Sequence, residues 1–208
     1  MSLILASTSP ARLEVLRAAG IEPVVRPSEV NEDAVLAAAG ELTPARTVLT
    51  LARAKALAVA DGGEALDGFV LGGDSMFEVD GVLQGKPHTP ERARERWEQQ
   101  RGKTGTLWSG HWLADRRAGH DGGEGVGAVK SATVTFVDDL EDAEIDAYVA
   151  SGEPLYVAGA FTIDSLGGAF IERIEGDPST VIGISLPVVR HLVRELGGSW
   201  PELWNRGA

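Results

Sequence analysis

Three helix starts in this chain share one pattern: a hydroxyl residue, a proline, then a helix-forming run. They fall at Ser9-Pro10, Thr43-Pro44 and Thr89-Pro90. A hydroxyl at the N-cap accepts from the free amides of the first turn, and proline at N1 gives up no hydrogen bond there. The pattern predicts a first helix over residues 10–19, with Leu13 and Leu16 inward and Gly20 as its stop. A second starts at Pro44, places Val48, Leu51 and Lys55 on neighbouring faces, and ends at Asp61-Gly62-Gly63; a third covers residues 90–100. Short apolar runs at 3–6, 21–26 and 68–72 read as strands between them. Residues 77–83 around Asp80-Gly81 read as a tight hairpin, since that pair tolerates positive φ. Longer strands are expected at 104–113 and 130–137, joined by a polar, glycine-rich loop at 115–127. A helix at 141–150, strands near 160–163 and 169–175, and a helix at 186–196 complete the pass. Helices alternate with strands, but the middle is rich in hairpins. The expectation is therefore an α/β fold with a mixed sheet, not a doubly wound parallel one. No linker separates independent domains, so residues 1–208 are expected to form one domain of two lobes sharing one sheet.

Composition narrows the function. The 208 residues carry 19 basic against 31 acidic side chains, a net charge of −12. Such a field repels a polyanion at long range, which argues against a nucleic-acid polymer as partner. Small phosphorylated ligands remain open, because a few cations gathered in one place suffice for them. The absence of cysteine removes disulfides, thiolate zinc and cysteine nucleophiles together. The histidines at 88, 111, 120 and 191 show no paired metal spacing. No run reaches the roughly 18 apolar residues of a membrane span. The apolar start, Met1 to Ala6, lacks a basic flank and reads as a strand and not a signal peptide, so a cytoplasmic protein is expected.

Two places concentrate chemistry. In Ala6-Ser7-Thr8-Ser9-Pro10-Ala11-Arg12 a strand ends, three hydroxyls follow, and a helix opens with an arginine in its first turn. Amides, dipole, hydroxyls and guanidinium converging there would hold a phosphate; a capped helix with a surface arginine fits the same residues. In Gly72-Gly73-Asp74-Ser75 an apolar strand delivers an acid at its C-terminal end, the usual ligand side of an α/β sheet. Asp74 there would hold a divalent metal or orient a water as general base, and a turn-capping aspartate is the plainer alternative. Lys55, Lys86 in Gln84-Gly85-Lys86-Pro87, and an acidic loop of Glu29, Asn31 and Glu32 point the same way, though each also reads as solvated surface. Gly102-Lys103-Thr104 is not a Walker loop, since Trp97 stands where its first glycine belongs. The spacing of Gly123 to Gly127 is wrong for a dinucleotide loop. Both read as turns.

The order of these pieces resembles the Maf family. The carrying residues are Leu5-Ala6-Ser7-Thr8-Ser9-Pro10-x-Arg12, Val30-x-Glu32, Ala54-Lys55-Ala56, Gly73-Asp74-Ser75 and Gly85-Lys86-Pro87. Glu153-Pro154, Ala158-Gly159-Ala160-Phe161 and Ile174-Glu175-Gly176-Asp177-Pro178 continue the match, which spares only the loop near 115–129 and the last residues. The resemblance implies a nucleoside triphosphate pyrophosphatase that yields monophosphate and pyrophosphate with a divalent cation, Mg²⁺ or Mn²⁺. It also implies an elongated mixed sheet with two lobes and a central cleft, similar to inosine triphosphate pyrophosphatase, a homodimer, and a link to septum formation. On the same ground Asp74 is the expected proton acceptor, Ser7, Ser9, Arg12, Lys55 and Lys86 bind phosphate, and Glu32 with Asp74 holds the metal. Ala11, Ser75 and Asp164 fall on the family's specificity points and differ from its thymidine/uridine-selective members. An acid at Asp164 suits the N–H edge of guanine. The alternatives are a nucleotide-binding regulator of cell division without turnover, or an inosine/xanthosine triphosphate pyrophosphatase.

Overall fold

The computed structural model describes residues 1–63, 65–120 and 123–205. Its strands are β1 (Leu3–Leu5), β2 (Val24–Val25), β3 (Phe69–Val79), β4 (Val82–Gln84), β5 (Thr104–Asp115), β6 (Val126–Phe136) and β7 (Ile171–Glu175). Its helices are α1 (Pro10–Ala18), α2 (Glu32–Ala39), α3 (Pro44–Ala60), α4 (Pro90–Gln100), α5 (Asp142–Ala150), α6 (Pro178–Ile182) and α7 (Leu186–Glu195). The strands form a mixed sheet in the order β2-β1-β3-β5-β6-β7, with β4 on β3. Pairing is parallel between β1 and its neighbours β2 and β3, and antiparallel at β3–β4 and β6–β7. The mixed α/β expectation holds. By contacts the chain divides into two compact units.

The first unit comprises Met1–Asp74, Ser109–Lys130 and Gly183–Ala208. Leu3 to Ala6 are all buried, as befits a parallel strand covered on both faces. Helix α3 turns Val48, Leu51, Ala52, Lys55 and Ala56 inward. It lies directly on the sheet because two strand positions have no side chain. A Cβ at Gly72 would stand 2.1 Å from the Ala52 carbonyl oxygen, and one at Gly110 would stand 2.3 Å from that of Val48. In α1 the inward pair is Val15 and Leu16. Leu13, about 110° round the axis from their midpoint, is only half-buried, against expectation.

The second unit comprises Ser75–Trp108 and Ser131–Ile182. Its core is aromatic: Phe77, Trp97, Phe136, Tyr148 and Phe161 are buried, and Trp97 meets Phe136 and Tyr148 edge to face at 5.3 and 5.2 Å. The Trp97 indole donates to the Ala160 carbonyl at 2.7 Å.

Several expectations are corrected. Asn31 and Glu32 are not in a loop: Asn31 caps α2 by accepting from Ala34 N at 3.0 Å, and Glu32 opens its first turn. Asp74 lies in the middle of β3 and not at a strand end. The glycines before it admit neighbouring elements without breaking the ladder. Residues 160–163 form no strand, because Gly159 and Ala160 adopt positive φ (71° and 62°) and turn the chain. The run 166–170 is a 3₁₀ turn, so β7 starts later than expected. The loop between β5 and β6 shrinks as both strands extend; its residues 121 and 122 lie outside the described part. Gly102-Lys103 is a turn, with Gly102 at φ 68° and Lys103 paired to Asp80 at 2.5 Å. Among the described residues no helix is long and apolar enough to cross a membrane.

Candidate active site

Seven of the expected site residues belong to the first unit, and all but Ala11 fall into two groups joined by polar contacts. The first is the turn from β1 into α1. Ser9 is the N-cap, its hydroxyl accepting from Arg12 N at 3.5 Å. The buried Ser7 hydroxyl accepts from Ser9 N at 3.2 Å and from Arg12 Nη1 at 3.1 Å. Arg12 Nε donates to the Gly183 carbonyl at 3.1 Å, which ties the guanidinium to the segment before α7. A Cβ at Gly73 would stand 3.3 Å from Arg12 Nε, so the arginine rests on the strand where glycine leaves room. Burial lowers the pKa of Arg12, while the charges of Asp74 and Glu32 oppose that shift. Ala11, half-buried in the first turn of α1, adds no polar group.

The second group is an ionic triad. Lys55 reaches from the inward face of α3 to Asp74 Oδ1 at 2.6 Å and to Glu32 Oε1 at 2.7 Å. Lys55 and Asp74 are buried, whereas about half of the Glu32 side chain, 48%, is exposed. A buried lysine is costly unless paired, which excludes the solvated-surface reading of Lys55. Asp74 Oδ2 is also buried and accepts no hydrogen bond from any of the described residues. Burial raises the Asp74 pKa above the ordinary carboxylate value, with Lys55 and Arg12 pulling it back down and Glu32 adding to the rise. The acid is thus ordered on one oxygen and open on the other.

Ser75, Lys86 and Asp164 belong to the second unit. Ser75 is half-buried, and Lys86 and Asp164 are exposed. The backbone around Lys86 is fixed: the Gly85 carbonyl accepts from Arg96 Nη1 at 2.5 Å, and His88 N donates to the Leu155 carbonyl at 2.9 Å. The structure adds two residues that motif reading left without a role. One is Gly183, whose carbonyl anchors Arg12 from 171 positions away. The other is Glu153, the acceptor for a ring of hydroxyls and amides in the second unit. Neither leaves a periodic or spacing signal.

Among the described residues no group of three or more His, Asp or Glu side chains is arranged to hold a metal by itself. Two carboxylates, Asp74 and Glu32, meet at Lys55. Mg²⁺ is commonly held by one or two carboxylates with substrate phosphates supplying further oxygens. The half-exposed Glu32 carboxylate, with that of Asp74 across Lys55 from it, fits that mode.

A cationic strand-to-helix turn beside a buried, half-satisfied carboxylate defines an α/β protein equipped for a phosphorylated ligand. The sequence model of the family described as Maf-like protein matches residues 2–196, and the chain belongs to that family. A relative from Leifsonia xyli subsp. xyli, named nucleoside triphosphate pyrophosphatase, is 64% identical over 99% of this chain and 98% of its own length. Relatives of the same name from Nocardia farcinica and Corynebacterium diphtheriae are 55% and 50% identical, covering 100% and 99% of this chain and 98% and 99% of theirs. The solved structure of the Staphylococcus aureus Ham1 protein aligns at 12% identity and a TM-score of 0.35, over 66% of this chain and 73% of that one, a likeness too slight to bear on the argument.

Proposed function

We propose that this chain is a nucleoside triphosphate pyrophosphatase, which adds water across the bond between the α and β phosphates to release a monophosphate and pyrophosphate. The observation that carries the chemistry is the asymmetry of Asp74: Lys55 holds Oδ1, while Oδ2 is buried and unpartnered. A water hydrogen-bonded to Oδ2 loses its proton there as its oxygen bonds to the α phosphorus, and the pyrophosphate oxygen leaves with the bonding pair. Arg12, with the hydroxyls of Ser7 and Ser9 beside it, neutralises phosphate charge. Lys86 joins them on the family resemblance. A divalent cation, Mg²⁺ or Mn²⁺, would be held by Asp74 and Glu32, and when bound it supplies charge neutralisation on the phosphate oxygens.

The base is assigned to Asp164, Ser75 and Ala11, the positions where this chain differs from the thymidine/uridine-selective pattern. A carboxylate only accepts, and the Watson–Crick edge of guanine offers two neighbouring N–H donors. We therefore favour a guanine-type or modified purine triphosphate. The family resemblance also supports a cytoplasmic homodimer.

The test is product analysis on standard and modified triphosphates with Mg²⁺ or Mn²⁺, for wild type and Asp74→Asn. Monophosphate and pyrophosphate from wild type, lost in the variant, are expected. Bound nucleotide with no turnover would replace this reading with a nucleotide-binding regulator of division. A preference for deaminated purines would place the chain beside the inosine/xanthosine enzymes.

A further inference from the structure

We propose that Glu153 is a positioning residue: its carboxylate locks the segment carrying Asp164 and so sets which base is accepted. The proposal rests on the functional reading above. Glu153 opens the 3₁₀ turn Glu153–Tyr156 behind Gly152, which adopts φ 79°. Its Oε1 accepts from the Tyr148 hydroxyl at 2.9 Å, the Thr162 hydroxyl at 2.5 Å and the Gly167 amide at 3.0 Å. Its Oε2 accepts from the Ser165 hydroxyl at 2.7 Å and the Leu166 amide at 3.2 Å. Four of these five donors lie in residues 162–167, on both sides of Asp164. The carboxylate is thus the hub about which this segment is wound.

The winding is tight enough to exclude side chains. A Cβ at Gly167 would stand 2.5 Å from the Tyr148 hydroxyl and 2.8 Å from the Thr162 carbonyl, and one at Gly168 would stand 2.9 Å from that of Ile163. The chain turns back on itself within six residues, and Asp164 within that turn is exposed. No regular ladder defines this segment, which runs from one 3₁₀ turn to the next. A base-recognising acid on irregular backbone needs such an anchor, because selectivity depends on holding the group in productive geometry. Burial would raise the Glu153 pKa, but hydrogen bonds from Thr162, Gly167, Ser165 and Tyr148 outweigh it and hold the carboxyl at about 2. The anchor is therefore charged throughout the range in which activity is assayed.

The experiment compares kcat and KM for guanine and pyrimidine triphosphates across four proteins: wild type, Glu153→Gln, Ser165→Ala and Tyr148→Phe. Gln keeps the size, but its amide nitrogen cannot accept from the donors on one side. The guanine-to-pyrimidine ratio of kcat/KM should fall about five- to tenfold in Glu153→Gln, with the change in KM for the favoured base. Ser165→Ala should shift the ratio in the same direction by less, and it also serves if Glu153→Gln does not fold. Tyr148→Phe removes one of the five donors and leaves the carboxylate and its four bonds to the segment in place, so the ratio should move by less than in Glu153→Gln. An unchanged ratio in both Glu153→Gln and Ser165→Ala, with turnover intact, overturns the positioning role and leaves the enzyme reading standing. An equal shift in Tyr148→Phe also overturns it, since the effect would then come from general packing. No turnover and no nucleotide binding by wild type overturns the functional reading, and this proposal with it.

Discussion

The Lys55 ammonium lies 2.6 Å from Asp74 Oδ1, and this contact joins helix α3 to strand β3 two residues past Gly72. The pair exists because Gly72 has no side chain to hold the helix off the strand. Placing Lys55 on the buried face of α3 would be costly without the two carboxylates it meets. Function and packing therefore share one constraint: the helix must sit close for the lysine to order the acid.

If Lys55 orders Asp74 for proton transfer, the two residues act as one unit. Lys55→Met and Asp74→Asn should each lower kcat by about 10²–10⁴-fold, and the double variant should lose little beyond the worse single. Steady-state kinetics on the preferred triphosphate measures this. Full additivity of the two losses would show that Lys55 serves the phosphates and not the acid.

Legibility followed the range of the interaction that fixes each feature. Helices α1, α3 and α4 begin where the hydroxyl-proline pairs place them, because Ser9, Thr43 and Thr89 each accept from an amide three residues on. Helix α2 is hidden by its own cap: Glu29, Asn31 and Glu32 read as an acidic loop, yet Asn31 is the N-cap, and Glu32 with Asp33 in the first turn complements the helix dipole. The six residues of the first-unit site were each visible as types in motifs. Their junction was not, since the Lys55–Asp74 contact depends on how closely a glycine admits a helix. The role of Glu153 was the least legible, for four of its five partners sit 9 to 14 residues on in backbone without a period.

Gly72 and Gly73 should separate stability from activity. A Cβ at Gly72 meets the backbone of Ala52 and Ala56 at 2.1 and 2.7 Å, which cannot yield without moving α3. Gly72→Ala should lower Tm by about 3–10 °C. At Gly73 the nearest atoms belong to the Arg12 side chain, at 3.3 Å, and a side chain can swing aside. Gly73→Ala should keep most of the Tm and raise KM by displacing the guanidinium. Thermal melts beside kinetics distinguish the two, and equal Tm losses would show that Arg12 is as fixed as the backbone.

Glu153 also predicts a pH signature. Its folded pKa of about 2 lies below the ordinary glutamate value of 4.5, so its network stabilises the protein fully above the unfolded value. That contribution is lost as pH falls from about 4.5 toward 2, when the carboxylate takes up a proton. The Tm of wild type should exceed that of Glu153→Gln at pH 7, and the gap should narrow over that acid window. A gap that is constant down to pH 2 would mean that charge on Glu153 contributes nothing to the network.

Asp164→Gln tests the base assignment itself. A carboxylate offers acceptors alone, which suits two adjacent N–H donors of guanine and opposes the carbonyl oxygens of uracil. Glutamine offers one acceptor and one donor, the pattern that complements the N–H and carbonyl of a pyrimidine edge. Replacing one by the other should move the guanine-to-uracil ratio of kcat/KM down by about tenfold or more, because an unmatched polar group at a recognition site costs more than a missing apolar contact. The change should combine non-additively with Glu153→Gln, since a loosened segment has already lost the geometry that Asp164 exploits. Kinetics on both bases for the two single variants and the double one decides the matter. An unchanged ratio in Asp164→Gln alone would remove Asp164 from the recognition site, and full additivity would show that the two residues act at separate places.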